Sequence, residues 1–183
     1  LSACFVLPVD DSLDSIFDSV KNSALIHQSG GGTGLNFSKL RPSGDFVKST
    51  GGVASGPLSF IRIFNVATDV VKQGSKRRGA NIGILNADHP DIVEFVNSKK
   101  DPRDFSNFNF SVALTDDFMK SLEKGGKEFD LINPRTKKPV SKINSKQLFD
   151  LICQNALQAG DPGIIFIDEI NRKHKLKKLG LIE

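Results

Sequence analysis

Segments with the period of a strand alternate along this sequence with segments that have the period of a helix. The clearest strand covers residues 105–114, where every second residue from Phe108 to Leu114 is apolar. The clearest helix follows Asp10, Asp11 and Ser12, any of which can cap it, and carries apolar residues at helical spacing. Strands that alternate with helices are typical of an α/β fold with parallel strands.

The same periodicity assigns the remaining elements. Predicted strands cover residues 3–9, 35–41, 80–85, 105–114, 128–132 and 163–168. Predicted helices cover residues 12–28, 57–72, 90–98, 116–124 and 145–159. The strand at 3–9 is expected to be buried, and the Gly-rich and Ser-rich residues 42–56 are expected to form a loop. The helix at 57–72 is apolar on nearly all of its faces, which predicts burial in the core or against a partner.

Composition limits the class of protein. The chain has 183 residues with 14 Phe but no Tyr or Trp, so one domain with a core of Phe, Ile, Leu and Val is expected. No apolar stretch approaches the roughly 20 residues that span a bilayer, and no signal peptide is recognised. Two cysteines, Cys4 and Cys153, do not make a disulfide framework, which predicts a reducing, cytoplasmic location. The missing initial Met and the strand at the first residues predict a fragment.

Glycines at four of the five positions 30–34 form the first candidate site. Successive glycines permit positive φ and let a ligand lie against bare backbone. A phosphate cradle would need the run to open a helix, whereas this run closes one helix and precedes a predicted strand. The P-loop and dinucleotide-binding interpretations are therefore weak, and a helix C-cap with a turn explains one glycine but not four.

Three other features are ambiguous by themselves. Residues 72–79 hold several cations between glycines, a pattern equally typical of a phosphate-binding loop and of a solvated loop. Cys4 is a lone cysteine in an apolar strand, where an inert core residue is commoner than a nucleophile. The basic run at 172–178 is more typical of a solvated face or tail than of a nucleic-acid patch.

Longer segments carry a family resemblance. The segments SACFVLPVDDSLDSIFDSV, SGGGTGLNFSKLRPSGD and DPGIIFIDEINR, in this order, resemble the first half of the catalytic barrel of ribonucleotide reductases. The segments GGVASGP, RRGANIGIL and DHPDI are more similar to the adenosylcobalamin-dependent class than to the oxygen-dependent class. The resemblance covers essentially the whole chain. It implies the first half-barrel of a ten-stranded α/β barrel, with residues 1–183 as a partial catalytic barrel domain.

The resemblance implies a redox role for Cys4, as one of two thiols that reduce the substrate ribose and become a disulfide. Ala3, Gly31 and Gly32 match positions whose backbone lies against the substrate ribonucleotide. The radical-site motif Asn-x-Cys-x-Glu is expected shortly after Glu183, and the second thiol and the loop that grips the substrate phosphates are also missing. Cys153 matches no family thiol and is interpreted as core packing. No metal ligand is assigned.

A second implied site binds a deoxynucleotide specificity effector. The resemblance assigns Asp11, Ser12 and Leu13 to it, with Asp11 binding the deoxyribose hydroxyl. Arg41 matches an arginine that approaches the effector phosphates, and the nearby helix N-terminus also favours an anion.

The resemblance further identifies two specificity loops. Residues 42–51 correspond to the first and residues 72–80 to the second. In the second loop, Gln73 and Arg77 would sense the effector base and contact the substrate base. A loop that touches two ligands can couple them, because each ligand favours the conformation that it binds best.

The implied partners are a ribonucleotide, a deoxynucleotide effector, a thioredoxin-like reductant and a second subunit that packs on helices 12–28 and 57–72. Adenosylcobalamin would be bound largely by parts outside this chain, and neither a membrane nor a nucleic acid is expected. The leading hypothesis is a ribonucleoside-diphosphate reductase that uses cobalamin-initiated radical chemistry. The alternative is a non-catalytic nucleotide-binding and dimerisation module derived from a reductase. Nucleic-acid binding through residues 172–178 is a third, weaker hypothesis.

Overall fold

The computed structural model describes residues 2–47, 51–71, 79–101 and 103–182. The strands in chain order are β1 (Cys4–Leu7), β2 (Gly32–Asn36), β3 (Phe46–Val47), β4 (Gly52–Val53), β5 (Asn81–Asn86), β6 (Phe108–Leu114), β7 (Glu128–Ile132), β8 (Pro139–Asn144) and β9 (Gly163–Phe166). The helices are α1 (Leu13–Gln28), α2 (Pro57–Val70), α3 (Ile92–Asn97), α4 (Asp116–Glu123), α5 (Ser145–Ala159) and α6 (Ile167–Lys173), followed by a 3-10 helix at Lys177–Leu179.

Five strands form one sheet in the order β1–β2–β5–β6–β9, and every neighbouring pair is parallel. Helices occupy the connections between these strands, as parallel pairing requires. Two antiparallel hairpins, β3–β4 and β7–β8, lie outside this sheet. The predicted α/β fold with parallel strands is therefore confirmed.

Phenylalanine fills the centre of the core, as the composition predicts. Phe37, on the turn after β2, packs edge-on against Phe64 of α2 with ring centroids 5.5 Å apart. Phe95 of α3 and Phe110 of β6 lie 4.5 Å apart between centroids. Each of these four side chains is at most 2% exposed, and burial of such a side chain contributes roughly 2 kcal/mol to folding.

The two helices between β1 and β5 begin where the sequence predicts. Ser12 is the N-cap of α1, and its hydroxyl oxygen accepts a hydrogen bond from the Ser15 amide at 3.2 Å. Pro57 occupies the first turn of α2, where a missing amide hydrogen costs nothing. The buried face of α2 follows Leu58, Ile61 and Phe64. Among the described residues, no helix has the length and apolar character needed to cross a membrane.

The strand predicted at 35–41 is wrong in position, because β2 begins three residues earlier, within the glycine run. The Gly32 amide donates to Ala3 O at 2.8 Å and the Thr33 amide to Ala80 O at 3.1 Å, which places the run between β1 and β5. After β2 the chain turns, since Asn36 Oδ1 accepts hydrogen bonds from the backbone and side chain of Ser38. Pairing with both neighbours outweighs the low strand propensity of glycine.

Several other boundaries differ from the predictions. The strand at 3–9 shortens to β1, an edge strand that is largely exposed, as the 82% exposure of Val6 shows. The hairpin β3–β4 lies inside the predicted loop 42–56, and strand β8 was not predicted because its polar side chains face solvent. The strand predicted at 163–168 ends at Phe166, and α6 begins at the next residue, Ile167. The core assignment of Cys153 is also wrong: this residue is exposed on α5, one position beyond the buried Ile152.

Candidate nucleotide-binding sites

The amino ends of the parallel strands meet at one edge of the sheet, and Cys4 lies there. Cys4 is the first residue of β1 and pairs in register with Gly32, the first residue of β2. Its side chain is exposed and its thiol is free. Gly31 precedes Gly32, and the Ala3 carbonyl accepts the Gly32 amide. The structure therefore brings together Ala3, Cys4, Gly31 and Gly32, the residues assigned to the substrate.

The two glycines meet different surroundings. A Cβ added to Gly32 would lie 3.4 Å from Cys4 Sγ and 3.2 Å from the Ala80 carbonyl oxygen, so glycine leaves room beside the thiol. A Cβ added to Gly31 would lie 2.7 Å from a methyl group of Ile26 on α1. Gly32 therefore keeps the approach to Cys4 open, whereas Gly31 permits the close packing of the strand against the helix.

A buried polar cluster, which the sequence reasoning missed, lies behind this edge. His27 Nδ1 lies 3.0 Å from the Gly31 carbonyl oxygen, and His27 Nε2 lies 2.9 Å from Asn81 Oδ1. The Thr33 hydroxyl also donates to Asn81 Oδ1, and the Asn81 amide donates to Thr68 Oγ1 at 3.0 Å. All four side chains are at most 5% exposed.

A sequence signal for this cluster exists. Ser19, Ser23 and His27 recur at intervals of four residues in α1, which places them on the same face as the apolar Ile16. A polar stripe on a buried helix face predicts partners for its polar atoms elsewhere in the chain. The partner Asn81 is 54 positions from His27, and local spacing does not identify it.

The second predicted site lies past the carboxyl ends of β1 and β2. Arg41 Nε lies 2.8 Å from Asp11 Oδ2 and 3.0 Å from Asp11 Oδ1, and the Arg41 amide donates to Asp11 Oδ1 at 3.1 Å. Ser12 and Leu13 follow Asp11 at the N-terminus of α1, where the helix dipole favours an anion. The structure thus brings together Asp11, Ser12, Leu13 and Arg41.

These four residues line one cavity of about 470 Å³. The hairpin β3–β4 supplies another wall through Val47, Val53 and Ala54. Ile16 of α1 and Phe60 of α2 add apolar surface that the sequence reasoning did not assign to the site. A cavity that combines a cation, a helix N-terminus and apolar walls can hold a phosphorylated molecule with an aromatic base.

The described part of residues 42–51, which are predicted to form the first specificity loop, is held from outside the cavity. Arg135, between β7 and β8, contacts both carboxylate oxygens of Asp45, and this guanidinium lowers the pKa of the Asp45 carboxyl. Residues 48–50 lie outside the described residues. So do residues 72–78 of the predicted second loop, and with them Gln73 and Arg77.

A further cavity of about 440 Å³ lies past the carboxyl ends of β2 and β5. Burial raises the pKa of Asp88 and lowers the pKa of His89, which both line it. His89 Nδ1 accepts the Asp91 amide at 3.0 Å, so Nε2 carries the hydrogen and donates to the Leu40 carbonyl at 2.9 Å. His89 therefore links the backbone at Leu40 to the backbone at Asp91.

The basic run at 172–178 is partly paired with acids. Arg172 of α6 contacts Asp116 at the start of α4 and lies 2.6 Å from Glu169 on its own helix. These contacts raise the pKa of Arg172 and lower the pKa of Asp116. Lys173 also pairs with Glu169, at 2.9 Å. Arg172 and Lys173, the first two cations of the run, therefore form ion pairs within the protein.

Comparison with known proteins places this geometry in a family. The profile of the ribonucleotide reductase barrel domain matches residues 2–183. A vitamin B12-dependent ribonucleoside-diphosphate reductase of Thermoplasma acidophilum is 58% identical over 184 residues, which cover 100% of this chain and 24% of that protein. A protein of the same name from Mycobacterium tuberculosis is 48% identical and also matches 100% of this chain, which covers 26% of the relative. The chain thus spans about a quarter of the length of these relatives.

The fold has a solved counterpart. The class Id ribonucleotide reductase alpha subunit of Actinobacillus ureae superposes with a TM-score of 0.73 over 93% of this chain and 28% of that chain. Its sequence identity of 22% supports the shared fold alone. Since the family profile matches nearly every residue, the chain belongs to the ribonucleotide reductase family and forms part of its barrel domain.

Proposed function

We propose that this chain is the part of a ribonucleotide reductase catalytic subunit that carries one reducing thiol, the substrate-facing backbone and the effector site. The complete protein would convert ribonucleoside diphosphates to deoxyribonucleoside diphosphates, as the names of two similar relatives suggest. The observation that carries this proposal is the backbone pairing of Cys4, whose thiol is exposed, with Gly32 at the amino edge of the sheet.

The chemistry needs two thiols. Replacement of the ribose 2′-hydroxyl by hydrogen consumes two electrons and two protons and releases water. Oxidation of Cys4 and a second cysteine to a disulfide would supply them, and a dithiol reductant would restore the pair. The exposure of Cys4 suits both the attack and the later exchange, because thiol exchange requires access to the sulfur. Two free cysteines also fit a reducing, cytoplasmic setting.

Adenosylcobalamin, when bound, would supply the radical chemistry, while the protein supplies position and containment. The described residues fit the substrate side of that reaction, since Gly32 places no side chain between a ligand and Cys4. No described residue is assigned to the cobalamin. Regulation would use the cavity at Asp11 and Arg41, with a deoxynucleoside triphosphate as the effector.

The exposed apolar residues of α1 and α2 support the proposed homodimer. Leu13, Phe17 and Leu25 on α1 and Val66 and Val70 on α2 are each at least half exposed. Apolar side chains concentrated on two neighbouring helices are typical of a protein interface. Because Leu13 also lines the effector cavity, dimerisation and effector binding would be linked.

The test of function uses the complete gene product. With adenosylcobalamin and a dithiol, the unaltered protein should reduce a ribonucleoside diphosphate over many turnovers, and Cys4→Ser should abolish multiple turnover. Cys153→Ser is the matched control, because Cys153 is the other exposed cysteine and lies on α5. Full activity of Cys4→Ser would exclude the redox role. Deoxynucleotide binding without any reduction by the unaltered protein would favour the non-catalytic module.

A further inference from the structure

The hairpin β3–β4 forms a wall of the effector cavity, but few interactions within the hairpin itself stabilise its position. It contains two residue pairs, Phe46 with Val53 and Val47 with Gly52. Phe46 and Val53 are more than half exposed, so the hairpin buries little apolar surface of its own. A two-stranded hairpin of this size is at best marginally stable in isolation. Contacts with the rest of the domain must therefore set its position.

One such contact is an ion pair that joins Asp45, the residue before β3, to Arg135. Arg135 Nη2 lies 2.9 Å from Asp45 Oδ1 and 3.0 Å from Asp45 Oδ2, and Arg135 Nε lies 3.1 Å from Asp45 Oδ2. The side chain of Asp45 is 13% exposed and that of Arg135 is 34% exposed. A fork of this kind, partly shielded from water, is stronger and more directional than an exposed ion pair.

The β7–β8 turn that carries Arg135 is held by hydrogen bonds to Asn133. Asn133, at the end of β7, accepts hydrogen bonds from the amides of Arg135 at 2.9 Å and Thr136 at 3.2 Å, which fixes the turn. The same side chain donates through Nδ2 to Asp45 Oδ2 at 3.1 Å. The β7–β8 turn therefore offers Asp45 a preformed set of donors.

On the hairpin side, the contact continues directly into the cavity wall. The backbone carbonyl of Asp45 accepts the amide of Ala54 at 2.8 Å, and Ala54 lines the cavity with Val47 and Val53. Arg135 itself is not among the residues that line the cavity. An effect of Arg135 on a bound molecule therefore passes through Asp45 and the hairpin or through its charge, which also reaches Asp11. Arg135→Lys keeps the charge and separates these two routes.

We propose that Arg135 is a positioning residue for the effector: through Asp45 it holds the β3–β4 hairpin as the wall that closes the cavity on a deoxynucleoside triphosphate. This inference rests on the proposed function of the cavity at Asp11 and Arg41. It gives the β7–β8 hairpin, which is absent from the sequence-based assignment of the effector site, a role in allosteric regulation.

The test compares Arg135→Ala with two other variants in the complete gene product. Binding of dATP, dGTP, dTTP and dCTP is measured by calorimetry, and reduction is measured with and without each nucleotide. Arg135→Ala should raise the dissociation constant of the bound effector by about tenfold, the loss of roughly one charge-assisted contact. Arg135→Lys keeps the charge without the fork and should have a smaller effect.

The control is Lys142→Ala, which removes an exposed ion pair from the same β7–β8 hairpin, 3.3 Å from Glu128. Lys142→Ala should bind the effector as the unaltered protein does. In Arg135→Ala the effector concentration for half-maximal stimulation should rise, while the rate at saturating effector and the rate without effector stay unchanged. A merely destabilised protein would lose rate under all three conditions.

The outcomes distinguish a failure of the proposed effector site from a failure of the positioning role of Arg135. If the unaltered protein binds none of the four nucleotides, the proposed effector site itself is wrong. If the unaltered protein binds one of them and Arg135→Ala binds it equally well, the positioning role is overturned. Equal weakening in Arg135→Ala and Lys142→Ala would also overturn it, because the effect would then belong to hairpin stability.

Discussion

His27 Nε2 lies 2.9 Å from Asn81 Oδ1, and this contact joins the last turn of α1 to the first residue of β5. Through its other ring nitrogen, His27 also meets the Gly31 carbonyl oxygen beside the proposed substrate strand. Asn81 directly follows residues 72–80, which the family resemblance predicts to be the second specificity loop. One buried histidine thus connects the end of α1 and the residue before β2 with the first residue of β5.

We expect Asn81→Ala to destabilise the protein substantially. The substitution removes partners of His27, Thr33 and Thr68 inside the core, where each unsatisfied polar group costs about 1–3 kcal/mol. Thermal unfolding of the complete gene product should show a clearly lowered midpoint. Asn109→Ala, on an exposed position of β6, is the control and should change little. Equal midpoints for both variants would show that the buried cluster does not stabilise the fold.

Gly32→Ala should slow the chemistry at Cys4 and also lower stability, because the added Cβ would lie 3.2 Å from the Ala80 carbonyl oxygen. The added methyl group would lie 3.4 Å from Cys4 Sγ, so it should slow substrate turnover and the reaction of Cys4 with a disulfide reagent such as DTNB. Gly163→Ala is the matched control, since its Cβ would lie 3.3 Å from Ser111 Oγ on another strand pair of the same edge. If both variants retain the thiol reactivity of the unaltered protein, Gly32 does not control access to Cys4.

Asp88→Asn should stabilise the protein at neutral pH. Burial raises the pKa of the Asp88 carboxyl above its ordinary value of 3.8. The favourable contribution of this carboxyl to the free energy of unfolding is therefore present below its unfolded-state pKa. It is lost as the pH rises through the higher folded-state pKa. The amide does not ionise, and the variant escapes this loss. Its melting midpoint should therefore exceed that of the unaltered protein by an amount that grows between about pH 4 and pH 7.

The control for this pH dependence is Asn109→Ala, because it exchanges an exposed residue of β6 and neither side chain ionises. The midpoint difference in this control should stay constant over the same pH range. A difference for Asp88→Asn that shrinks as the pH rises would mean that the Asp88 carboxylate is favourably bound rather than desolvated.

Phe17→Asp should convert the proposed dimer to monomers. Phe17 is half exposed on α1, and a carboxylate placed in an apolar interface would be left without water or a partner. Sedimentation velocity of the complete gene product should show a smaller species, and deoxynucleotide binding should weaken with it. Leu157→Asp on α5 is the control, since Leu157 is 89% exposed on another helix. An unchanged dimer in Phe17→Asp would place the subunit contact elsewhere.

Local periodicity accounts for much of the fold. It identifies β5, β6 and the helices from α1 to α5, because the spacing of apolar residues reports which face of an element is buried. It does not identify the exposed strands β3, β4 and β8, whose side chains carry no such alternation. Cys153 shows the same limit at one residue, since a single step along α5 from the buried Ile152 turns the side chain to solvent.

Sequence patterns alone identify the parallel strands of the main sheet, the helices from α1 to α5 and the composition of the core. The family resemblance points to Cys4, Asp11 and Arg41 as site residues, and this assignment stays a prediction. Only the tertiary structure decided that Cys4 pairs with Gly32 and that Asp45 meets Arg135, which is 90 residues away. The physical reason is that helix and strand periods are set by neighbours a few residues apart, whereas register and ion pairing depend on which distant segments pack together.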